Sequence, residues 1–219
     1  MKKYIEILKK CPLFLDIGEE DLLRMLDCMG ATVDTYDKKY TIIAEGNPAK
    51  YIGIVLSGSA QIVQVDYFGN RSILSNVGPS EVFAEAFACA EVQSIPVTVV
   101  ANEPSEIMII DSGHILHICS NNCSFHRQLI FNLMKDLATK TILFHQKIEI
   151  TSKRTTREKL MAYLAFQAKK AGRSSFEIPF DRQELADYLE VDRSGLSTEI
   201  SKLKNEGVLD SRRKHFELF

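Results

Sequence analysis

The chain has no tryptophan, only five cysteines and six prolines, and no long apolar run in its 219 residues. Each shortage excludes something. Five cysteines are too few and odd in number for a disulfide framework, so reduced thiols in a cytosolic setting are the simpler expectation. No stretch approaches the roughly 18–20 apolar residues that span a bilayer, so no membrane partner is expected. Met1-Lys2-Lys3 opens like a secretory signal, but Glu6, Lys9 and Lys10 leave no apolar core behind it. The expected location is therefore cytoplasmic. A P-loop, a dinucleotide fingerprint, a Gly-x-Ser-x-Gly elbow and a His-Glu-x-x-His pair are all missing. Acidic pairs such as Glu19-Glu20 sit at helix starts, where they complement the helix dipole. Neither an enzyme nor a cofactor is expected.

Strong net charge is lacking too: the total is −2 at pH 7. Its distribution is uneven. Residues 153–219 hold 14 Lys and Arg against 11 Asp and Glu, whereas residues 1–152 hold 13 against 18. The basic C-terminal part is the side that would meet a polyanion.

What is present falls into three textures. Residues 19–29 read as a helix with Leu22, Leu23, Met25, Leu26 and Met29 on one broad apolar face. From Ala31 to Ile110 short β runs alternate with turn signals. Tyr51–Leu56, Ala60–Val65, Val97–Ala101 and Ile107–Ile110 are such runs, and Gly46-Asn47-Pro48, Ser57-Gly58-Ser59, Phe68-Gly69-Asn70 and Gly78-Pro79-Ser80 punctuate them. Many short strands at this spacing predict an antiparallel sandwich or roll.

A long helix is expected over 124–150. Ile130, Met134, Leu137, Thr141, Phe144 and Ile148 are spaced 4, 3, 4, 3, 4, a coiled-coil seam with one polar position. Phe125, Leu129, Leu133 and Leu143 form a second apolar flank. One flank is expected to pack on the β domain and the seam to meet a second subunit; a core helix without a partner is the alternative. Thr151-Ser152-Lys153 breaks the pattern and reads as a hinge. A helix from about Arg154 to Ala171 then ends at Gly172, and Phe176-Glu177-Ile178 reads as a short strand.

Residues 181–206 carry the motif. Asp181 and Glu184 suit an N-cap and its N3 partner. Leu185, Ala186 and Leu189 give one apolar face, Glu190-Val191 a tight connection, and Asp192 a second cap. Leu196, Ile200 and Leu203 would point inward, leaving Arg193, Ser194, Ser197 and Thr198 on the open face of the second helix. A recognition helix needs this arrangement, because residues near its N-terminus enter the major groove. Arginine can grip guanine O6 and N7, and a hydroxyl can bond either kind of base edge. An ordinary helical hairpin on a solvated surface is the alternative.

This stretch resembles the helix-turn-helix of the Crp–Fnr family, which has Thr-Arg-Gln-Glu-Ile/Leu-Ala/Gly before the turn and Ser/Asp-Arg-x-Thr/Gly-Leu/Val-Ser after it. The closing segment Leu203–Leu209 with Gly207 is similar as well. Arg212-Arg213-Lys214-His215 stands where the family's wing contacts phosphates. Pro12-Leu13-Phe14, Glu45-Gly46-Asn47-Pro48, Ile54–Ala60 and Phe83-Ala84-Glu85 resemble its cyclic-nucleotide-binding roll. The resemblance implies an α+β chain with three parts. Residues 1–123 would form an antiparallel β-roll of the jelly-roll, double-stranded β-helix type with flanking helices, 124–150 a dimerisation helix, and 151–219 a winged helix-turn-helix.

It also implies function: a homodimeric transcription regulator with a palindromic double-stranded operator, a small-molecule effector and RNA polymerase as partners. Arg193, Ser194, Ser197 and Thr198 would read bases. Arg182, Gln183, Arg212 and Lys214 would hold phosphates. The effector pocket would be lined by Phe83, Ala84, Glu85, Ile95, Pro96, Lys140 and Thr141. Members that bind cyclic AMP have a Gly-Glu-Leu turn and, about ten residues on, an Arg-Ser pair that clamps the phosphate. Here Glu85 is kept, but Ile95 and Pro96 replace the pair, and neither donates to an anion. An effector other than cyclic AMP is expected. Lys140 can serve an anionic ligand or stand as a solvated lysine on the helix flank.

His114, His117, Cys119, Cys123 and His126 fall within 13 residues. They lack the paired Cys-x₂-Cys spacing of a structural zinc site, and no metal site is assigned. A metal- or redox-gated regulator using this cluster is kept as an alternative, as is a dimeric ligand-binding module that does not bind DNA. Only Cys11 and Cys28 precede the roll, too few for an N-terminal iron–sulfur cluster. Cys11 and Cys89 read as buried core rather than redox-sensitive thiols.

Overall fold

The computed structural model describes residues 1–116 and 124–219. The chain forms two compact units, one of residues 1–65 and 74–141, the other of residues 66–73 and 142–219.

The chain opens with α1 (Ile5–Leu8) and α2 (Glu19–Cys28), followed by β1 (Thr32–Tyr36), β2 (Thr41–Ile43), β3 (Tyr51–Ser57), β4 (Ala60–Val65), β5 (Arg71–Val77), β6 (Val82–Phe83), α3 (Glu85–Cys89), β7 (Thr98–Ala101), β8 (Ser105–Asp111) and α4 (Gly113–Leu116). The strands make two four-stranded sheets, β1-β8-β3-β6 and β2-β7-β4-β5. β8 pairs antiparallel with both β1 and β3, and β7 with both β2 and β4. The roll expected from the turn spacing is there.

β3 shows why its sequence is apolar without alternation: both of its faces are covered. Ile52, Ile54 and Leu56 pack with Leu8, Leu13, Phe14, Leu22 and Leu26, whereas Val55 packs with Phe83, Val99 and Ile107. Between them lies Gly53, where an added Cβ would sit 2.0 Å from the Phe83 ring. The missing side chain lets β6 approach β3, and Phe83 is the residue that leads into Glu85.

The long helix α5 runs Ser124–Thr151. Leu129 and Leu133 are buried in the core shared with Leu13 and Phe14. Buried Asn132 donates through Nδ2 to the carbonyls of Leu13 (3.0 Å) and Leu15 (2.7 Å). These bonds satisfy two backbone groups of the Pro12–Phe14 turn that no ladder serves.

The second unit adds α6 (Thr156–Ala171), β9 (Ser175–Glu177), α7 (Arg182–Leu189), α8 (Arg193–Asn205), β10 (Leu209–Arg212) and β11 (His215–Leu218). The strands form an antiparallel sheet in the order β10-β11-β9. α6 begins at a capping box of Thr155 with Glu158 and ends at Gly172 with φ +66°. Leu160, Tyr163, Leu164, Phe180, Leu185, Leu189, Leu196, Ile200, Leu203 and Phe216 are buried. The rings of Tyr163, Phe180 and Tyr188 cluster with centroids 4.8–6.2 Å apart.

The strand expected at 176–178 begins and ends one residue earlier. The β texture expected through Ile110 is interrupted by α3. Five residues give too short a period to read, and its N-cap Ala84 lies at φ +66°, a conformation that glycine would signal and alanine hides.

Candidate nucleic-acid interface and effector pocket

α7 and α8 are started by their own side chains. Asp181 accepts from the Glu184 amide (2.9 Å), and Glu184 returns a bond to the Asp181 amide (2.7 Å). Asp192 accepts from the Gly195 amide at 2.8 Å and also from the Ser194 hydroxyl. These bonds hold the Asp192 carboxyl below the usual carboxylate range, the Ser194 hydroxyl contributing most. The connection between the helices is Glu190-Val191, with Glu190 in the left-handed region at φ +55°.

Leu196, Ile200 and Leu203 are buried, and Arg193, Ser194 and Thr198 are exposed, with Ser197 partly so. The Thr198 hydroxyl rests on the Ser194 carbonyl at 3.0 Å, so reading a base would require it to turn outward. Gln183 is exposed and bonded to Asp187. In the β10–β11 turn Arg212 and Arg213 are exposed, while Lys214 donates to the Pro179 carbonyl at 2.7 Å. Arg213 occupies the turn itself at φ +56° and adds a cation that the assignment of phosphate contacts omitted.

Arg182 differs from a plain surface contact. It is half-buried, its guanidinium carbon lies 5.8 Å from the Phe216 ring centroid, and its Nη1 is buried without a hydrogen-bond partner. Burial lowers its pKa. Ring contact of this kind orients the guanidinium.

The pocket region centres on Glu85, 4% exposed. Lys140 of α5 donates to Glu85 Oε1 at 2.8 Å and to the Val82 carbonyl at 2.7 Å, and pairs with Asp136 Oδ2 at 2.8 Å. Lys140 is thus no solvated flank residue. Burial by itself would lower its pKa, but Glu85 and Asp136 outweigh that and raise it. The second Glu85 oxygen, Oε2, is buried and has no hydrogen-bond partner. Asp136 escaped the sequence reading, although its i,i+4 spacing to Lys140 is a legible signal. Ile95 is buried among Ala49, Val97, Ile43, Ile62 and Leu74, and Pro96 is exposed. A cyclic phosphate placed at Ile95 would meet an apolar cluster instead of donors. The residues there offer an anion no charged donor.

On α5, Phe131, Met134, Ile142, Leu143, Phe144 and Ile148 are each 45–62% exposed, and Thr141 is exposed. Ile130 and Leu137, expected on the seam, instead pack against the core of the first unit. Leu143, expected against the β domain, faces solvent. The outward stripe is Phe131, Met134, Ala138, Thr141, His145 and Ile148, spaced 3, 4, 3, 4, 3. Four of the six expected seam positions, Met134, Thr141, Phe144 and Ile148, are exposed.

His117, Cys119 and Cys123 lie outside the described residues. His114 bonds the Met29 carbonyl through Nδ1 at 3.1 Å. Among the described residues no three metal-ligating side chains gather. Cys11 is buried, and burial pushes its thiol up to about 12, which makes it unreactive.

Comparison with known proteins agrees with both halves. Residues 33–122 match the model of the cyclic nucleotide-binding domain, and residues 158–218 that of the Crp-like helix-turn-helix domain. The transcriptional activator protein FnrL of Cereibacter sphaeroides is 24% identical over 191 residues, covering 80% of this chain and 71% of FnrL. The c-di-GMP responsive global regulator CLP of Xanthomonas campestris superposes with a TM-score of 0.74 at 17% identity, over 90% of this chain and 99% of CLP. FixK2 of Bradyrhizobium japonicum gives a TM-score of 0.66 at 20% identity, over 86% and 92%. At such identities the structural likeness establishes the fold alone.

Proposed function

We propose that this chain, which belongs to the Crp–Fnr family of transcription regulators, acts as a homodimer on an imperfectly palindromic operator and answers to an effector other than cyclic AMP. The observation that carries the reading is α8, with Leu196, Ile200 and Leu203 buried and Arg193, Ser194 and Thr198 open at its N-terminal end. In this reading Arg193, Ser194, Ser197 and Thr198 contact bases, and Gln183, Arg212, Arg213 and Lys214 contact phosphates. Arg182, packed against Phe216 and half-buried, would contact a phosphate through the exposed part of its guanidinium. Pairing along the outward stripe of α5 sets two recognition helices about 34 Å apart, one turn of B-DNA.

The effector would act at Glu85, Lys140 and Thr141. It must compete with the Glu85–Lys140 pair, and it needs different affinities for two orientations of the DNA-binding part about the hinge near 151–153. RNA polymerase is the expected further partner, and the cytoplasm the expected location.

The test is fluorescence anisotropy of the ligand-free protein on labelled DNA from its own upstream region, against a scrambled duplex, at about 0.15 M salt. Selective binding is expected, directly or once an anionic metabolite is added. Equal affinity for both duplexes under every condition would refute the reading.

A further inference from the structure

The recognition helix is held by a second set of charges that no DNA contact explains. Arg157, in the first turn of α6, reaches Glu206 at the C-cap of α8 with Nη1 at 3.0 Å and Nη2 to the other oxygen. The same Nη1 lies 3.5 Å from Glu199. Glu199 and Glu206 are seven residues apart, two turns along one face of α8. Glu199 is mostly shielded, with 16% of its side chain exposed. Two residues on, Lys159 donates to the carbonyls of Leu189 and Glu190, both at 3.2 Å. Those carbonyls end α7, where a helix leaves orphan acceptors. Glu190 is also the left-handed residue of the turn.

From this geometry, and resting on the DNA-binding reading above, we propose that Arg157 and Lys159 are positioning residues of the helix-turn-helix, Arg157 setting the rotation of α8 about its axis and Lys159 the turn that aims it. Neither needs to touch DNA. A helix with its side chains is about 5–6 Å in radius, so a rotation of 20° moves a side-chain tip by roughly 2 Å. The window for a hydrogen bond to a base edge is narrower than that. The packing of Leu196, Ile200 and Leu203 sets the depth of α8, but apolar contacts are not directional. A guanidinium bridging two carboxylates two turns apart resists rotation and sliding together.

The experiment uses the full chain. A duplex is enriched by the wild-type protein from a random-sequence pool, and affinities for it and for its scrambled counterpart are measured across a salt series. Arg157→Ala is expected to lower the selected-to-scrambled ratio about tenfold, within the range of networked charge pairs. Affinity for scrambled DNA and the slope against salt should stay unchanged, since no phosphate contact is lost. In the Glu199→Gln, Glu206→Gln background, Arg157→Ala should have no further effect on the ratio. Lys159→Met, which keeps the stem and loses the donor, should lower the ratio in the same way. Far-ultraviolet circular dichroism checks that each variant is folded at the assay temperature.

A parallel fall on both duplexes with a shallower salt slope would make Arg157 a phosphate contact and overturn the proposal. An unchanged ratio would overturn it too, with the DNA-binding reading intact. Failure of the wild-type chain to enrich any duplex, both alone and with the added anionic metabolites, would remove that reading and this one with it.

Discussion

Lys140 and Glu85 face each other at 2.8 Å, one on the long helix and one at the start of α3, and Asp136 completes the group from the turn below. Two buried carboxylates and one ammonium leave an acidic excess that only the lysine offsets. Lys140→Met should therefore destabilise the folded chain by about 3 kcal/mol, the usual size when a buried pair loses one partner. Adding Glu85→Gln and Asp136→Asn should restore most of it. Urea denaturation of the three proteins decides the matter, and equal midpoints would show that the pair contributes nothing.

Cyclic AMP should leave the protein unmoved. A ligand at about 100 times its Kd adds about 2.7 kcal/mol of stability. With Ile95 buried where a phosphate would need donors, the melting temperature in about 1 mM cyclic AMP should match that without it. A rise of several degrees would mean affinity near or below about 10 µM and a different route to the phosphate.

If the proposed dimer forms along the exposed stripe of α5, substitutions there separate dimerisation from folding. Thr141→Asp and Met134→Asp, both at exposed positions, should place facing charges in the dimer and shift sedimentation toward monomer. Leu137→Asp should instead destabilise the first unit, because Leu137 packs on its core. A dimer unaffected by the first two substitutions would put the interface elsewhere.

Arg193→Ala should weaken binding to the selected site by about 1–3 kcal/mol and blur preference at one base pair. Competition anisotropy with single-base-pair variants measures both. Equal loss on unrelated DNA would make Arg193 a phosphate contact.

Lys147 predicts a rise of stability with pH. It is buried, donates to the Ile73 carbonyl and lies 4.6 Å from the centroid of the Tyr188 ring. Burial lowers its pKa to about 8, with Glu190 pulling weakly the other way. Below pH 8 both folded and unfolded chains hold the proton. Between about 8 and 10 the unfolded chain keeps it while the folded chain loses it, so the contribution of this group to stability rises with pH, approaching about 1.4 kcal/mol per unit. Cys11, held protonated by burial where the unfolded thiol ionises from about pH 9, and Tyr188, whose pKa burial also raises, pull the other way. Urea melts at three alkaline pH values should show the stability of the wild type relative to Lys147→Met rising across this range, because the opposing groups are common to both.

Much of this protein is legible as local pattern. Asp181 with Glu184, Asp192, Gly172 and the spacing of Leu196, Ile200 and Leu203 are short-range signals, and the helices begin, end and face inward as those signals require. That Ile95 and Pro96 carry no charged donor is also a fact of sequence. Tertiary structure decided whatever depends on two distant residues meeting. Lys140 reads as a surface lysine until β6 and α3 bring Glu85 within 2.8 Å, 55 residues away in sequence. The outward face of α5 could not be chosen from its period alone, because both flanks are apolar and only the packing of Leu129 and Leu133 on the Leu13–Phe14 turn selects one. Arg157 is one charge among many in sequence; its meeting with Glu199 and Glu206 exists only once α6 has folded against α8. Propensity, capping and periodicity act over a few residues, whereas pairing of charges across elements is set by the close packing of the cores that carry them.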